Sequence, residues 1–433
     1  MVWGKLMINY KFVNKSLVFV IIFLLFGLYS SVSFAQDASK VSNIYVESLS
    51  YDGNILYVGG NGPNNYSSIQ GAVDDAVDGD TVFIYSGVYY ENNIHVENSI
   101  SIIGENTETT IIDGQGTFQY HILILYEGNS IVQSLTFRNV HSSGAGVFVW
   151  RCDGNQILDC RSINVFYAGV DIVESNNNYV SNFTCLEDGR GININGNLGS
   201  GISSGNVIEN CSFPEGGRLW LWDAPDNVIN NCVFNGGGIE VDSSESVSVN
   251  NTFLNCQFYN TVGLDFNSPG GNEKIINCYF DNSIISAIRV DHNHPGMEIR
   301  NCTFIDSGSQ GIVFHSPIQD VVVSGCKFFN GYFGGILFCW TLRDVEVSSC
   351  HFENNPTGIN MYDSNFRNSF HHNNFINNED HILARGSGSY LRWMINSWNE
   401  NYWDDYTGNF PWYHIFGFLN WDFNPALEPY EIG

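Results

Sequence analysis

One motif recurs about every 24 residues between Leu135 and Asn373, and it constrains the fold more than any other feature of the chain. Each copy has an aliphatic residue, a variable residue, Asn-Cys, a variable residue and Phe, followed by a Gly-led aliphatic strand and a polar turn. The cysteines of consecutive copies lie at Cys211, Cys232, Cys256, Cys278, Cys302, Cys326 and Cys350. A fixed period of this length is typical of a solenoid, whose units bury apolar surface only by stacking on their neighbours.

The repeat consists of strands rather than helices. Short runs of β-branched residues alternate with polar residues, and Asn, Gly and Ser separate one run from the next. A glycine opens one strand of each repeat with the same period, at Gly146, Gly169, Gly191, Gly238, Gly263, Gly311, Gly335 and Gly358. These features predict an all-β, single-stranded right-handed parallel β-helix of about 14 rungs.

The charge of the chain restricts its partners. Lys and Arg number 17 and Asp and Glu number 45, which gives a formal net charge of −28 at pH 7. Nucleic-acid recognition requires a basic face, so we expect no nucleic-acid partner. An acidic chain suits a soluble surface protein, a face that binds cations, or a neutral or basic substrate.

Residues 1–35 have the pattern of an export signal. Three lysines precede an apolar run at residues 17–28, and Ser33-Phe34-Ala35 has the small-x-small pattern of a cleavage site. The apolar run is shorter than the roughly 20 residues of a membrane span. We therefore predict a signal peptide, with a retained signal-anchor as the alternative. The mature chain would be secreted or displayed on the cell surface, without a membrane span.

Eleven cysteines in an exported chain invite a disulfide interpretation. Their positions favour another one, because Cys160 and the seven cysteines of the repeat occupy the same inward position of successive rungs. We expect them to form a ladder of small buried apolar side chains. Their spacing also differs from that of zinc-binding CxxC clusters, so we predict no thiolate metal site.

Both ends of the array differ from its centre, because terminal repeats must cover the open apolar ends of a solenoid. The predicted segments after the signal are a flexible lead at 36–54, an N-terminal cap with the first turns at 55–112, the repeats at 113–389 and a C-terminal cap at 390–433. Helical spacing of apolar residues from Ile69 to Val77 predicts a short capping helix. The C-terminal cap is rich in aromatic residues.

Four short segments resemble known β-helix proteins. They are Ser68-Ile69-Gln70, Val88-Tyr89-Tyr90-Glu91 and Ile112-Asp113-Gly114 near the start, and Asn401-Tyr402-Trp403-Asp404-Asp405-Tyr406 in the tail. They are similar to segments of the NosD-like and pectin-lyase-like proteins, and the resemblance covers most of the mature chain. It implies the β-helix fold, in a group that includes carbohydrate-binding and sugar-hydrolase domains, polysaccharide lyases, epimerases and surface proteins. Related tails continue into an Asp/Gly-rich loop that residues 408–420 lack, so the resemblance implies no metal there.

The strands that follow the glycines indicate where chemistry could take place. The first and third residues after each glycine are apolar and should point inward, so the second and fourth should point outward. Stacked rungs then form two outward columns on one sheet face. Consecutive rungs carry, in order, Asn193 and Asn195, Trp220 and Trp222, Glu240 and Asp242, Asp265 and Asn267, Arg289 and Asp291, and Val313 and His315.

Exposed aromatic rings beside polar groups are typical of sugar sites, since sugars have apolar faces and hydroxyl edges. We therefore predict a polysaccharide or cell-surface glycan as the partner. The predicted substrate-binding residues are Trp220, Trp222, Asn193, Asn267, His292 and His294. If the protein is an enzyme, the predicted catalytic residues are Glu240, Asp242, Asp265, Arg289, Asp291 and His315.

The sequence leaves several functions open. In a polysaccharide-degrading glycosidase, Asp265 and Asp291 would be acid and base, since diagonal positions on adjacent rungs lie roughly 8 Å apart, as in inverting enzymes. In a uronate lyase or epimerase, Arg289 or a cation would neutralise the sugar carboxylate while His315 or His292 removed a proton. A non-catalytic adhesive or structural solenoid would need no tuned acid. We predict no resident cofactor or metal, although a bridging Ca²⁺ would suit an acidic face.

Overall fold

The computed structural model describes residues 53–118, 121–141, 143–187, 189–196, 201–244, 248–362, 365–385, 395–416 and 420–432. These residues form a parallel β-helix, as the repeat predicts. The predicted signal and nearly all of the predicted lead lie outside the described residues, so those two segments remain predictions.

The rungs are built from three parallel sheets, which we call sheets A, B and C. In the described residues, the strands of sheet A are Ile55–Val58, Thr81–Ile84, Ser101–Gly104, Ile131–Gln133, Gln156–Leu158, Tyr179–Ser181, Val207–Glu209, Val228–Asn230, Thr252–Leu254, Lys274–Ile276, Glu298–Arg300, Ile318–Gln319, Val322–Ser324, Leu342–Arg343, Glu346–Ser348, Asn365–His371 and Ile395–Asn399. The strands of sheet B are Gly87–Tyr89, Thr110–Phe118, Thr136–His141, Arg161–Val165, Thr184–Leu186, Ser212–Phe213, Val233–Asn235, Gln257–Tyr259, Tyr279–Asp281, Thr303–Ile305, Lys327–Phe329, His351–Glu353, Asn374–Ile376 and Tyr402–Trp403.

The strands of sheet C are Ile94–Val96, Leu123–Leu125, Ala145–Trp150, Ala168–Val173, Arg190–Asn195, Leu219–Trp222, Ile239–Asp242, Leu264–Phe266, Ile288–Val290, Gln310–Phe314, Gly334–Phe338, Thr357–Tyr362 and Asp380–Arg385. Sheets B and C thus have 14 and 13 strands among the described residues, in agreement with the predicted number of rungs. A short antiparallel pair, Tyr413–Phe416 with Asn420–Asp422, belongs to the C-terminal cap.

The asparagine of the repeated Asn-Cys motif forms the corner between sheets A and B. At this corner Asn210, Asn231 and Asn255 have φ angles of 55°, 51° and 53°, in the left-handed region. Among residues with a side chain, asparagine tolerates this region best because its short amide bonds to the local backbone. The asparagine therefore recurs because the backbone has a positive φ at this corner of successive rungs.

The interior contains two stacks that follow directly from the repeat. The phenylalanine rings of sheet B stack nearly parallel from Phe213 to Phe375, with ring centroids 4.4–5.0 Å apart. The eight ladder cysteines are buried beside them, and all eleven cysteines of the chain are free thiols. Burial in this apolar interior raises the pKa of the Cys160 thiol to about 12, so it remains protonated and unreactive at neutral pH.

Buried asparagines satisfy backbone donors in the turns before sheet A. The backbone N–H of Asn155 donates to the side-chain oxygen of Asn178 at 2.8 Å, and Asn178 donates in the same way to Asn206 at 2.9 Å. Asn206 continues the series to Asn227 at 2.8 Å. These bonds link the same turn on consecutive rungs, and this keeps the strands of the neighbouring sheets in register.

The N-terminal end is covered by one short helix, α1, at Ile69–Asp75. The Ser68 hydroxyl caps it by accepting a hydrogen bond from the backbone N–H of Gly71 at 3.2 Å. Ala72 and Val73 are among its buried residues, as the spacing predicts. The helix ends two residues before Val77, which is 60% exposed instead of facing the core.

Part of the aromatic C-terminal segment packs against the last rungs, as a cap would, whereas Phe410, Trp412 and Phe423 are exposed. Trp403 is fully buried, and its ring stacks between Phe375 and Tyr413 with centroids 4.6 Å away on each side. Trp398 stacks on Phe370 at 4.2 Å. The ring column of the interior therefore continues into the cap. In the described part of the chain, no helix is long and apolar enough to cross a membrane.

Candidate functional site

Sheet C carries the two outward columns that the glycine-led strands predict. Strand pairing puts Asn193, Trp220, Glu240, Asp265 and Arg289 side by side on consecutive strands. The residues between them along each strand, such as Leu219 and Leu221, are fully buried in the interior. Trp220, Glu240 and Arg289 are partly exposed, so the predicted outward direction is confirmed for these three residues.

The first part of this face is a groove with aromatic ends, which we call the aromatic groove. It has a volume of about 500 Å³ and is lined by Phe148, Trp150, Tyr167, Val173, Arg190, Asn195, Gly196, Trp220 and Trp222. Strand pairing sets Trp150, Val173, Asn195 and Trp222 on four consecutive strands. The two tryptophans are thus three strand spacings apart, roughly 14 Å. Smaller side chains on the two strands between them leave the open space.

Arg190 forms part of the rim of the aromatic groove. Its guanidinium carbon lies 4.0 Å from the centroid of the Trp220 ring and 5.4 Å from that of Tyr167. Contacts of this kind hold a cation over the face of an aromatic ring. Arg190 therefore brings a positive charge and several N–H donors to the groove while its own orientation is fixed.

Asp171 and Asn193 form a polar layer in the outward column of the same strands. Asp171 is 3% exposed and Asn193 is completely buried. The Asn193 amide is a hydrogen-bond partner of both the Asp171 carboxyl and the Tyr167 hydroxyl. The two side chains therefore form a buried polar pair on these strands, not a surface open to a ligand.

The pKa of the Asp171 carboxyl is raised to about 7. Burial is the main cause, and the Asn193 amide and the charge of Arg190 offset it only in part. At neutral pH the group therefore exists in both protonation states. Raised carboxyls of this kind are often found at functional sites.

The second part of the face is a group of ionisable side chains, which we call the charged cluster, formed by Arg218, Glu240, Asp265, Arg289, Asp291 and His315. Arg289 Nε lies 2.8 Å from Asp265 Oδ1 and 3.5 Å from Asp291 Oδ2. Asp291 Oδ1 lies 2.8 Å from His315 Nδ1. Arg218 pairs with Glu240 in the same way. Each charged or polar group of the cluster therefore has a partner within the cluster.

Two carboxyls near the junction of groove and cluster have raised pKa values. Burial raises the pKa of Asp265, and the adjacent Arg289 guanidinium opposes the rise. Burial also raises the pKa of Asp242, while the Trp220 indole N–H, which donates to Asp242 Oδ2 at 3.2 Å, opposes it. The bond between Trp220 and Asp242 joins the aromatic groove to the charged cluster.

Most of the predicted site residues lie together on this face, with two corrections. Asn267 accepts a bond from Arg289 at 2.9 Å, and His292 is exposed in the following turn. Asn193 is buried beneath bulkier neighbours. His294 is 1% exposed, because its turn folds inward and sets Nδ1 3.0 Å from the buried Glu273 carboxylate. Neither Asn193 nor His294 is accessible to a polysaccharide in this structure.

Some groove residues are absent from the sequence-based prediction. Phe148 and Trp150 are the second and fourth residues after Gly146, so the alternation rule applied to the Gly146 rung would have found them. Tyr167 and Arg190 lie before their glycines, where no periodic pattern predicts the side-chain direction. Their role depends on how the turns between sheets B and C fold over the face.

The described residues also contain one group outside this face whose donor atoms could hold a metal ion, formed by His381, Asp404 and Asp405. Their nearest contacts are made between the imidazole Nε2 and one oxygen of each carboxylate. This group has no contact with the aromatic groove or the charged cluster among the interactions described above.

The period, the three parallel sheets and the buried ladders agree with one family model. Residues 120–272 and 262–393 match the model described as the right-handed beta helix region, and together they cover more than half of the chain. The protein belongs to this β-helix family. None of the curated proteins matches the chain.

Several solved structures have a similar fold. A GH87 α-1,3-glucanase catalytic domain in complex with nigerose is 13% identical, with a TM-score of 0.44, over 80% of this chain and 69% of that one. A PL6 alginate lyase in complex with a trisaccharide is 12% identical, with a TM-score of 0.48, over 81% of this chain and 85% of that one. PfbA, a surface adhesin of Streptococcus pneumoniae, is 12% identical, with a TM-score of 0.48, over 72% of this chain and 87% of that one. Similarity at this level assigns no activity to the chain.

Proposed function

We propose that this is an extracytoplasmic carbohydrate-binding β-helix protein that holds a glycan in the aromatic groove. The observation that carries the proposal is the groove itself, a space of about 500 Å³ between Phe148 and Trp150 at one end and Trp220 and Trp222 at the other. The proposed location outside the cytoplasm rests on the signal pattern of residues 1–35.

The composition of the groove suits a sugar better than an apolar ligand. A pyranose ring has an apolar face that stacks on aromatic side chains and an edge of hydroxyls that needs polar partners. Aromatic rings form the two ends, and Arg190 and Asn195 provide polar groups between them. The volume lies within the usual range for small-ligand sites, about 300–1,000 Å³.

The charged cluster continues the same face, and it would contact the part of a longer glycan that extends beyond the groove. Glu240 and Asp242 lie one strand beyond Trp220 and Trp222 in the same two columns. A polysaccharide lying along the axis of the β-helix would therefore pass from the groove onto the cluster. Exposed members such as His315, which is 47% exposed in its side chain, would contact the sugar hydroxyls.

The geometry of the cluster favours binding over hydrolysis at Asp265 and Asp291. A glycosidase needs free space between its acid and its base for the sugar and, in inverting enzymes, for a water molecule. Here the Arg289 guanidinium contacts both carboxylates and fills the space that the reacting bond would occupy. Hydrolysis, uronate elimination and epimerisation remain alternatives that product analysis distinguishes from binding alone.

The test is binding of the full-length protein to a broad glycan array, followed by measurement of affinity for every glycan that binds. Trp222→Ala and Trp150→Ala remove one ring from each end of the groove. Loss of one buried aromatic contact should weaken binding by about tenfold to hundredfold, which corresponds to roughly 1.5–3 kcal/mol. Trp340→Ala is the matched control, since Trp340 is 52% exposed and lies outside the groove.

The outcomes of this experiment either support or contradict the groove as a glycan-binding site. Binding that is weakened by both groove variants and unchanged by Trp340→Ala supports the proposal, and new reducing ends or unsaturated uronates would add an activity to it. Binding unaffected by either groove variant contradicts the groove as the site. Failure of the protein to bind any glycan contradicts the carbohydrate proposal and favours a structural solenoid.

A further inference from the structure

The last rung and the C-terminal cap meet at a histidine and two aspartates. His381 is the second residue of Asp380–Arg385, the final described strand of sheet C. Asp404 and Asp405 directly follow Tyr402–Trp403, the final strand of sheet B. The three side chains therefore join two strand ends that are more than twenty residues apart in sequence.

The donor atoms of these residues converge on one point. His381 Nε2 lies 3.0 Å from Asp404 Oδ1 and 3.4 Å from Asp405 Oδ1, and all three atoms lie within 4.8 Å of one another. A tetrahedral zinc ion, with bonds of about 2.1 Å, separates its donors by about 3.4 Å. The observed spacing is already close to that of a coordinated set.

The imidazole is held in place by packing. Its side chain is only 9% exposed and lies beside the rings of Phe375 and Trp403, with centroids 6.0 Å and 5.9 Å away. Nε2 points toward the carboxylates while the rest of the ring is enclosed. The packing of the imidazole and the direction of its Nε2 distinguish the group from an ordinary acidic patch on the surface.

Each carboxylate is also oriented by its second oxygen. Asp404 Oδ2 accepts the backbone N–H of Asn377, and Asp405 Oδ2 accepts the Tyr413 hydroxyl at 3.0 Å. Both Oδ1 atoms are left directed at His381. Outer hydrogen bonds of this kind orient the ligands of metal sites.

We propose that His381, Asp404 and Asp405 form a binding site for a divalent transition-metal cation of the zinc type, which fastens the C-terminal cap to the last rung. One nitrogen and two carboxylate oxygens provide three donors, and water would complete a tetrahedral set. The imidazole favours zinc-type ions over Ca²⁺ and Mg²⁺, which prefer ligand sets made of oxygen alone. The site is independent of the aromatic groove.

Zinc binding to the full-length protein tests this inference. After treatment with EDTA and removal of the chelator, isothermal titration with Zn²⁺ should show one equivalent bound, and the melting temperature should rise by several degrees. Ca²⁺ and Mg²⁺ at the same concentration should produce neither effect. His381→Gln should weaken zinc binding by at least tenfold and remove the rise in melting temperature.

Two further variants make the result specific. Asp405→Asn should also weaken zinc binding, and it is a mild change because the Asp405 side chain is 60% exposed. His372→Gln is the matched control, since His372 also pairs with one carboxylate, Glu400, at 2.7 Å, but is not part of the three-residue group. It should bind zinc as the wild type does.

The proposal is overturned if the wild-type protein binds no stoichiometric zinc. It is equally overturned if zinc binding survives unchanged in both His381→Gln and Asp405→Asn. In the first case the three residues form an ion pair alone, and in the second the metal binds elsewhere on the chain.

Discussion

The aromatic groove and the charged cluster occupy the same two columns of sheet C, but their carboxyl groups have different surroundings. In the charged cluster, Arg289 contacts Asp265 and Asp291, and Asp291 contacts His315. On the strands of the groove, Asp171 is buried, and its pKa is raised to about 7 because burial outweighs the Asn193 amide and the charge of Arg190. The cluster therefore pairs its carboxylates with cationic groups, whereas burial at the groove favours a protonated carboxyl.

The two regions also differ in the side chains that line them. The outermost members of the cluster are exposed, with 53% of the Arg218 side chain and 47% of the His315 side chain in contact with solvent. A smaller cavity of about 150 Å³ at the cluster is lined by glycines and aliphatic residues together with charged side chains such as Arg218 and Arg289. The groove instead offers large aromatic rings, on which the apolar face of a sugar stacks.

The largest expected change in stability is that of the Asp171→Asn variant. A rise of the carboxyl pKa from 3.8 to about 7 means that ionisation of the buried group costs roughly 4 kcal/mol. Because the folded-state pKa lies above the unfolded-state value, the wild-type protein loses stability as the pH rises from about 4 to about 7. The variant should avoid this loss and melt at a higher temperature than wild type at pH 8.

Thermal melting at several pH values measures this effect. The difference between Asp171→Asn and wild type should be small near pH 4, where the aspartate is protonated, and should reach its full size above pH 7. Identical pH profiles for the two proteins would show that Asp171 is not a buried carboxyl with a raised pKa, and the comparison between groove and cluster would lose its main support.

A smaller change in stability is expected for the Arg289→Gln variant in the charged cluster. Loss of the guanidinium leaves Asp265, which is 9% exposed, without its main partner, at a cost of about 1–3 kcal/mol. The pKa of Asp265 should rise further, so the loss of stability should be greater at pH 8 than at pH 4. Melting temperatures at the two pH values check this.

The same variant separates the two regions as binding sites. For a glycan short enough to occupy the groove alone, Arg289→Gln should change the affinity by no more than about twofold, in contrast to Trp222→Ala. A well-folded Arg289→Gln protein that no longer binds glycan would reverse the comparison and make the charged cluster the binding site.

The smallest effect is expected for Glu240→Gln. The Glu240 and Arg218 side chains are 34% and 53% exposed, and exposed ion pairs contribute at most about 1 kcal/mol to stability. Salt screens such pairs, so the small difference in melting temperature should shrink further at 1 M NaCl. A large loss of stability that persists at high salt would show that the cluster is more deeply coupled to the fold than its exposure indicates.

The fold could be predicted almost entirely because its determinants repeat. The Asn-Cys corner, the phenylalanine stack and the inward residues of sheet C each depend on a local pattern that is copied at every rung. The helix at Ile69–Asp75 was also predictable, but its end was not. Val77 has the apolar spacing of the helix, yet the chain has already turned away when it reaches this residue.

The candidate site was predictable only in part. Alternation along the strands gave the direction of Trp220, Trp222 and the members of the cluster, and it would have given Phe148 and Trp150 as well. It could not give the burial of Asn193, because that depends on the size of side chains on neighbouring rungs. It could not give the position of His294 either, since that residue lies in a turn without a period.

The sequence by itself determined the period, the β-helix fold and the direction of most strand side chains, because a β-strand alternates its side chains with a fixed spacing of two. Tertiary structure alone decided which outward side chains are open, paired or buried. Those properties arise from contacts between residues on different rungs, roughly two dozen positions apart in the chain, and from turns that fold over the face. The groove and the group around His381 both belong to this second kind of information.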